Sequence, residues 1–358
     1  MSNPEKFVFV KVNGSSYERG YKHGSEVKNI IKQNLSYYFN YWKRRFNLEK
    51  ETILRKAEKV KEAIEKFDSS IFEEIKGVAD GSETSLNEII ALNSRYEFVW
   101  ATTSRAACTS VLALPEVTVN KNVLLGQNWD YKPPLLEGNI LLRIERRDGP
   151  NIITHVEAGC IGRNGFNSKG VGLCINALVS SNDKFEPKVP FHVLCRSILD
   201  SESLSEAVGR IVGSERSLSY NFLIACSEGV AVDIELLPEK SFNHILPEDG
   251  FIVHTNHFLR IKTFDDEFIK VIPDTLIRYQ RVKNLLKAKE KVDCEDLMNI
   301  FRDHVNYPNS VCRHPDPKLG EDDQIATLSS VIMDLSGMRM LITKGQPCKS
   351  RYQELKMG

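Results

Sequence analysis

One cysteine in this sequence stands where a thiol could act as a nucleophile. Cys108 follows the small residues Ala106 and Ala107 and directly precedes a β-rich segment. If the Ala107–Cys108 bond were broken, the new α-amino group of Cys108, with a pKa of about 7.7–8.0, could accept the thiol proton. The thiolate is the reactive form of cysteine. From the residues alone, a small, buried and unreactive Cys108 is the commoner role and stays open as the alternative.

Two other arrangements of cysteine and histidine were considered. Zinc prefers the residue types found at His254, His257, Cys312 and His314. Residues three apart in a strand point to opposite faces, however, so His254 and His257 are poorly placed to share a metal, and we expect no metal and no cofactor. A papain-like pairing of Cys108 with a histidine is disfavoured, because Cys108 lies in a β context without papain-type sequence around it.

The elements that would position Cys108 change character near residue 105. Before this point, apolar residues recur at helical spacing over 31–46 and 53–67, a third helix is predicted to end at Gly81, and Ser85 and Glu88 form a capping box that opens a fourth. After it come short β-rich runs joined by tight-turn signals. These runs are ACTSVLAL, KNVLLGQNW, NILLRIER, NIITHVEA, GVGLCINAL, NFLIACSE, GVAVDIEL, FIVHTN, ATLSSVIMDL and MRMLITKG.

Two helical stretches interrupt the strands, at residues 190–211 and 274–304. Grouped helices without regular βαβ alternation predict an α+β fold with antiparallel sheets. Several strands are apolar on both faces and need cover on both sides. The pattern shows no Pro/Gly/Ser linker, so we expect the helical part to pack on the sheet.

Composition narrows the function classes. The 358 residues carry 48 Lys+Arg and 48 Asp+Glu, and 41% are hydrophobic, which is typical of a folded protein rather than a disordered one. The charge balance argues against a nucleic-acid partner. No apolar run is long enough for a signal peptide or a membrane span, and the eight cysteines lack disulfide-framework spacing. These features predict a soluble, cytoplasmic protein.

Longer motifs carry a family resemblance. Among them are ACTSVLAL, GQNWDY, GRNGFNSKGVGLCINAL, YNFLIACSEGVAVDIE, HTNHF, SVCRH and ATLSSVIMDL, with RYE shortly before Cys108 and YERGYKHG near the start. In this order they resemble the acyl-coenzyme A:6-aminopenicillanic acid acyltransferase family, also called the isopenicillin N acyltransferase or C45 peptidase family. The resemblance implies an N-terminal-nucleophile hydrolase of four-layer αββα architecture, made as a precursor that cuts itself before the nucleophile.

Carried over residue by residue, the resemblance assigns roles to individual side chains. The nucleophile falls on Cys108, and its acidic partner on Asp130, unless that residue merely caps a hairpin turn. Asn256 would supply an oxyanion donor, unless it only bonds its own backbone, and Asn176 is a weaker second candidate. Arg313 would stabilise the thiolate or oxyanion or hold a substrate carboxylate, although a lone arginine is usually solvated.

The expected product of self-cleavage is a pair of associated chains. The cut between Ala107 and Cys108 would give a mainly helical chain of residues 1–107 and a chain of residues 108–358 with the αββα core. Family members that make penicillin have glycine before the cysteine, and alanine tolerates a strained backbone less readily, so a slower cut is expected. The predicted enzyme is a hydrolase or acyltransferase acting on a small acyl amide or acyl thioester. The alternative is an unprocessed, non-catalytic binding relative.

Overall fold

The computed structural model describes residues 6–98, 106–260 and 264–358, and within them the chain forms fourteen strands and eleven α-helices. The strands are β1 (Val8–Val12), β2 (Ala107–Ala113), β3 (Leu124–Tyr131), β4 (Asn139–Ile144), β5 (Ile152–Glu157), β6 (Asn164–Asn167), β7 (Val171–Ala177), β8 (Tyr220–Cys226), β9 (Val230–Leu236), β10 (Phe242–Ile245), β11 (Phe251–His254), β12 (Ala326–Asp334), β13 (Arg339–Lys344) and β14 (Gln353–Lys356). The helices are α1 (Ser16–Glu26), α2 (Lys28–Phe46), α3 (Lys50–Phe67), α4 (Ser69–Ser82), α5 (Leu86–Asn93), α6 (Arg95–Phe98), α7 (Phe191–Leu199), α8 (Leu204–Val212), α9 (Phe268–Val271), α10 (Asp274–Lys287) and α11 (Cys294–Phe301).

The strands form two sheets. The first has eight strands in the order β1-β4-β5-β6-β7-β8-β9-β10, and the second has six in the order β11-β2-β3-β12-β13-β14. Their pairings are antiparallel except that β1 runs parallel to β4 at one edge of the first sheet. The predicted antiparallel sheets are therefore present, with one parallel pair that the sequence did not reveal.

Apolar side chains join the layers in three cores. Residues such as Leu125, Leu141 and Met333 lie between the two sheets. Phe301 and its neighbours from α10 and α11 pack on the outer face of the second sheet. The helices before residue 99, together with α7, cover the outer face of the first sheet. This stacking confirms the predicted four-layer αββα architecture, because each sheet is apolar on both faces and must be covered on both.

The N-terminal helices pack unusually closely through glycines. Helices α1 and α4 meet at Gly20 and Gly24 on one side and at Gly77 and Gly81 on the other, and a Cβ on Gly77 would lie 2.1 Å from the carbonyl oxygen of Tyr17. The expected helix end at Gly81 is wrong: α4 continues to Ser82. Gly81 lies in the helix contact instead, because any larger side chain there would meet the backbone of α1.

The other helical predictions are close to the structure. The capping box of Ser85 and Glu88 opens α5. The stretch 190–211 is two helices, α7 and α8, and the stretch 274–304 contains α10 and α11 with a turn between them. Within the described residues, none of the helices has the length and apolar character needed to cross a membrane.

Candidate active site

Cys108 is the second residue of β2, which lies between β11 and β3 in the second sheet. Antiparallel pairing with β3 places Cys108 opposite Trp129 and Ala107 opposite Asp130. The side chain is almost completely buried. Because β2 begins at Ala107, the peptide bond that would have to be cut lies inside a hydrogen-bonded strand rather than in a loop.

Two side chains hold the backbone of Cys108 in the uncut chain. Its N–H donates to Oδ1 of Asn256 at 2.8 Å. Asn256 lies two residues after the end of β11. The guanidinium of Arg278, on α10, donates to the Cys108 carbonyl oxygen at 2.7 Å and to Oδ1 of Asn256 at 3.0 Å. Arg278 also donates to Oγ1 of Thr109 at 3.0 Å. One arginine therefore fixes both Cys108 and the amide that contacts it.

A chain of alternating charges continues from Arg278 to Asp130. Nε of Arg278 donates to Asp274 at 2.9 Å, one helical turn earlier on α10. Asp274 also accepts a bond from Arg313, and Nε of Arg313 lies 3.4 Å from Asp130. Oγ1 of Thr327 donates to Asp130 at 2.7 Å. All of these side chains are buried, so every charge has an opposite charge beside it, as burial requires.

Burial and neighbouring charges act in opposite directions on these carboxyl groups. Burial raises the pKa of Asp130, although Arg313, Arg278 and the Thr327 hydroxyl offset part of the effect. Burial also disfavours ionised Asp274, but Arg278 and Arg313 outweigh it and hold the pKa of Asp274 below its usual value. Asp274 is therefore the carboxylate that two arginines share.

The Cys108 thiol faces a small cavity of about 30 Å³, which is little more than the space of one water molecule. The walls are mainly apolar and include Tyr96, Ala106 and Trp129. Among the described residues, the cation in this wall is Arg163, which lies over the Trp129 ring, 3.5 Å from its centroid. Its buried Nε and Nη2 have no hydrogen-bond partner among the described residues. The cavity thus combines an apolar surface with one guanidinium, two of whose nitrogens are buried without a hydrogen-bond partner.

In the uncut chain the thiol is not ionised at neutral pH. Burial raises the pKa of Cys108 to about 12, and Arg163 and Arg278 only partly counteract burial, while Asp130 adds to it. A thiol with this pKa is a poor nucleophile until another group takes its proton.

The structure brings Cys108, Asp130, Asn256 and Arg313 into one buried cluster, and Ala107 is buried beside Cys108 in β2. It gives Asn256 a geometry that differs from the expected one: its acceptor oxygen faces Cys108, while Nδ2 donates to the Ala177 carbonyl oxygen at 3.1 Å.

Asn176 lies apart from the thiol, between the two sheets. Its Oδ1 accepts a bond from Ser110 at 2.9 Å, and its Nδ2 donates to the His254 carbonyl oxygen at 3.3 Å. With its amide bonded to these groups, Asn176 is placed to tie the sheets together rather than to contact an oxyanion.

Three residues of this cluster were not singled out from the sequence: Arg163, Asp274 and Arg278. Asp274 and Arg278 stand four apart in a predicted helix, which is also the spacing of an ordinary surface ion pair. Arg163 lies within the quoted GRNGF motif, but nothing in its neighbours indicates that its guanidinium meets the cavity.

The sequence is similar to known proteins over most of its length. A sequence model described as acyl-coenzyme A:6-aminopenicillanic acid acyl-transferase matches residues 117–349. A protein of Emericella nidulans, the acyl-coenzyme A:6-aminopenicillanic-acid-acyltransferase 40 kDa form, is 31% identical over 345 residues, covering 95% of this chain and 93% of its own. An uncharacterized protein of Archaeoglobus fulgidus is 21% identical over 386 residues, covering 92% of this chain and 62% of its own.

Two solved structures match part of this chain at low sequence identity. An N-acylethanolamine-hydrolyzing acid amidase ortholog of Caenorhabditis elegans matches 64% of this chain and 93% of its own, at 17% identity and a TM-score of 0.48. Penicillin V acylase from Agrobacterium tumefaciens matches 70% of this chain and 86% of its own, at 13% identity and a TM-score of 0.48.

The chain belongs to the acyl-coenzyme A:6-aminopenicillanic acid acyl-transferase family. This confirms the resemblance found in the sequence. Membership in an acyltransferase family agrees with the predicted enzyme class, a hydrolase or acyltransferase.

Proposed function

We propose that this protein is a self-processing cysteine amide hydrolase or acyltransferase whose nucleophile is Cys108. The observation that carries the proposal is the bond from the Cys108 N–H to Oδ1 of Asn256, at the head of the buried chain of charges that ends at Asp130. An amide nitrogen held in this way becomes a positioned α-amino group once the bond before it is cut. A buried backbone N–H needs an acceptor in any case, but here the acceptor Oδ1 is itself held by Arg278, which also bonds the Cys108 carbonyl oxygen.

The first step is cleavage of the chain. The Cys108 thiol attacks the Ala107 carbonyl carbon, the bond from that carbon to the Cys108 nitrogen breaks, and the proton lost by sulfur ends on the nitrogen. Water then hydrolyses the resulting thioester, which leaves a carboxyl group on Ala107 and a free thiol and amine on Cys108. One water is consumed, and no cofactor is required.

The uncut chain is inactive in this mechanism for two reasons. Its Cys108 nitrogen is an amide, which takes up a proton only as its own bond to Ala107 breaks, so it cannot act as a base toward a substrate, and burial keeps the thiol protonated. The cavity beside the thiol is also too small for an acyl group, and Ala106 forms part of its wall. Cleavage frees the amine and allows the segment before Cys108 to leave this space.

Turnover repeats the same chemistry on a substrate. The Cys108 amine, held by Asn256, accepts the thiol proton, and the thiolate attacks the substrate's acyl carbon. The leaving amine or thiol takes that proton, and a thioester remains on Cys108. Water or an acceptor amine then releases the acyl group. Asp130 and Arg313 hold Asp274 and Arg278 in place, and these in turn hold the Asn256 amide that contacts the amine. Asn256 can stabilise the oxyanion if its Nδ2 gives up the bond to the Ala177 carbonyl oxygen and donates to the substrate instead.

The cavity indicates the type of acyl group. Tyr96, Trp129 and their apolar neighbours favour a hydrophobic acyl body, and the unpartnered nitrogens of Arg163 favour a hydrogen-bond acceptor on it. We therefore propose a small amide or thioester with an apolar acyl group that carries a carbonyl or carboxylate oxygen. The eight cysteines are all unpaired thiols, as in a reducing compartment, and we place the enzyme in the cytoplasm.

The two fragments are proposed to stay together as a heterodimer. β1, from the shorter fragment, pairs with β4 from the longer one over five residues. The helices before residue 99 also share the largest apolar core with the first sheet. Separation would expose this core to water, at about 25 cal/mol for each Å² of apolar surface.

Intact-mass measurement and N-terminal sequencing of the purified protein test the proposal. We expect fragments of 107 and 251 residues, the larger beginning at Cys108, and an intact folded chain for Cys108→Ala. Cys108→Ser should cleave slowly. Cys294→Ala, which removes a half-buried thiol on α11, is the matched control and should be cut as fast as wild type. An intact wild-type chain that hydrolyses amides would refute the mechanism, and an intact chain without activity would favour the non-catalytic binding relative.

A further inference from the structure

A second group of reactive side chains lies outside the active site. His304, Cys312, His314 and Cys348 each direct one ligand atom into the same small volume, with all four atoms within 4.8 Å of one another. The Nε2 atoms of the two histidines are 3.1 Å apart. Nε2 of His314 lies 3.7 Å from Sγ of Cys312 and 3.4 Å from Sγ of Cys348.

Three of the six separations among these atoms are close to those of a tetrahedral metal site. Zinc binds sulfur at about 2.3 Å and imidazole nitrogen at about 2.0–2.1 Å, so tetrahedral ligand atoms lie about 3.3–3.8 Å apart. The three separations above are within about 0.3 Å of this range. Two thiols and two imidazoles are also a donor set that selects zinc over magnesium or calcium, which prefer oxygen.

We propose that His304, Cys312, His314 and Cys348 bind one structural zinc ion. Four protein ligands fill the tetrahedron and leave no position for a substrate or a reactive water. Binding would release one proton from each cysteine thiol. A zinc ion here differs from our expectation of no metal. Two of its ligands, Cys312 and His314, were already named from the sequence. The other two are His304 and Cys348 instead of His254 and His257.

The fold explains why four distant residues meet here. His304 follows α11, Cys312 and His314 lie in the segment that leads to β12, and Cys348 lies in the turn between β13 and β14. Neighbouring bonds already hold these segments together: the Cys312 N–H donates to the Asp303 carbonyl oxygen, and Nε of Arg302 donates to the Pro347 carbonyl oxygen, both at 3.0 Å. A metal ion would therefore require little rearrangement.

The position of Arg313 gives the zinc a role. Arg313 stands between the ligands Cys312 and His314 in the chain, and its side chain contacts Asp130 and Asp274 in the candidate active site. A zinc ion bound on both sides of Arg313 would fix the backbone from which this guanidinium extends. We therefore infer a positioning role for the metal, without contact to the substrate.

The test is the metal content of protein purified without chelators and with its thiols reduced, measured by inductively coupled plasma mass spectrometry. We expect about one zinc per chain. Cys348→Ser and His304→Ala should each lose most of it; both side chains are partly exposed, so their replacement should not prevent folding. The matched controls are Cys294→Ser and His244→Ala, a cysteine and a histidine outside the cluster, which should keep one zinc.

A second measurement uses cobalt alone as the probe. Metal-free wild type titrated with Co²⁺ should develop the absorption of tetrahedral cobalt, with sulfur-to-cobalt charge transfer, at one equivalent, and Cys348→Ser should not. Absence of both zinc and this spectrum from folded, reduced wild type would overturn the proposal. So would a Cys312–Cys348 disulfide in the protein as purified, or equal zinc in wild type and both ligand variants. These readouts do not depend on activity or on self-cleavage, so the metal site and the proposed function can fail separately.

Discussion

Replacement of Arg278 by methionine should impair both stability and self-cleavage. Methionine keeps much of the apolar stem but removes a guanidinium that is fully buried and that bonds Cys108, Thr109, Asn256 and Asp274. Asp274 would keep only Arg313 as its cationic partner, and three further acceptors would lose a charged donor.

The size of both effects follows from these contacts. Breaking a buried ion pair by removing one partner costs about 3–5 kcal/mol of unfolding free energy. Cleavage depends on the bonds from Arg278 to Cys108 and Asn256, and loss of one charge-assisted bond, worth about 1.5–3 kcal/mol, slows a reaction about 10- to 150-fold. Arg278→Lys should fall between wild type and methionine, since an ammonium cannot span all four acceptors.

Stability should be measured by urea unfolding in a Cys108→Ala background, so that only uncut chains are compared. Cleavage should be followed by the appearance of the 251-residue fragment in the Cys108 protein. Arg281→Met is the matched control. Arg281 lies on the same helix, is about one-third exposed, and within the described part of the chain pairs only with Asp303, so its loss should cost at most about 1 kcal/mol. Equal stability and equal cleavage rates in the Arg278 and Arg281 variants would refute the role assigned to Arg278.

Two further predictions concern stability. Gly77→Ala should destabilise the protein by about 1–3 kcal/mol, because the new Cβ meets the backbone of α1. Gly209→Ala is the control: it has open space around it in α8 and should stabilise the protein by about 0.5–1 kcal/mol. Similar shifts of the urea midpoint in the two variants would contradict the close packing of α1 and α4. Burial raises the pKa of Asp183 to about 6. The folded state therefore keeps a proton that the unfolded state releases between about pH 4 and 6, and stability should fall by about 3 kcal/mol as the pH rises through this window, relative to an Asp183→Asn variant that lacks this slope.

The sequence predicted the long elements of the fold better than the short ones. All ten β-rich runs contain strands, because each combines β-branched residues with turn signals at its ends. The missed strands β1, β6, β10 and β14 have only four or five residues, and pairing with a neighbour stabilises them more than their own composition does. Helix α1 was missed because its packing depends on glycines facing α4, and glycine is a poor helix former by itself.

The candidate site shows the same limit. The family resemblance selected Cys108, Asp130 and Asn256, which all lie in or next to the neighbouring strands β2, β3 and β11. Arg278 approaches from a helix 170 residues away in sequence. Its partners could not be inferred from the sequence, because they depend on how α10 packs against β2 and β11. Two of the four proposed zinc ligands, His304 and Cys348, were missed for a similar reason, since Cys348 comes near His314 only through the turn that follows β13.

The edge pairing of β1 with β4 has a consequence for how a cut protein would survive denaturation. In the precursor this pairing forms within one chain, so refolding does not depend on protein concentration. After a cut before Cys108, the same strand belongs to a separate molecule, and reassembly becomes a second-order event whose midpoint shifts with dilution. The mature enzyme would then owe its persistence to slow dissociation rather than to ready refolding. The two parts of the enzyme would assemble only once, while they are still joined in the uncut chain.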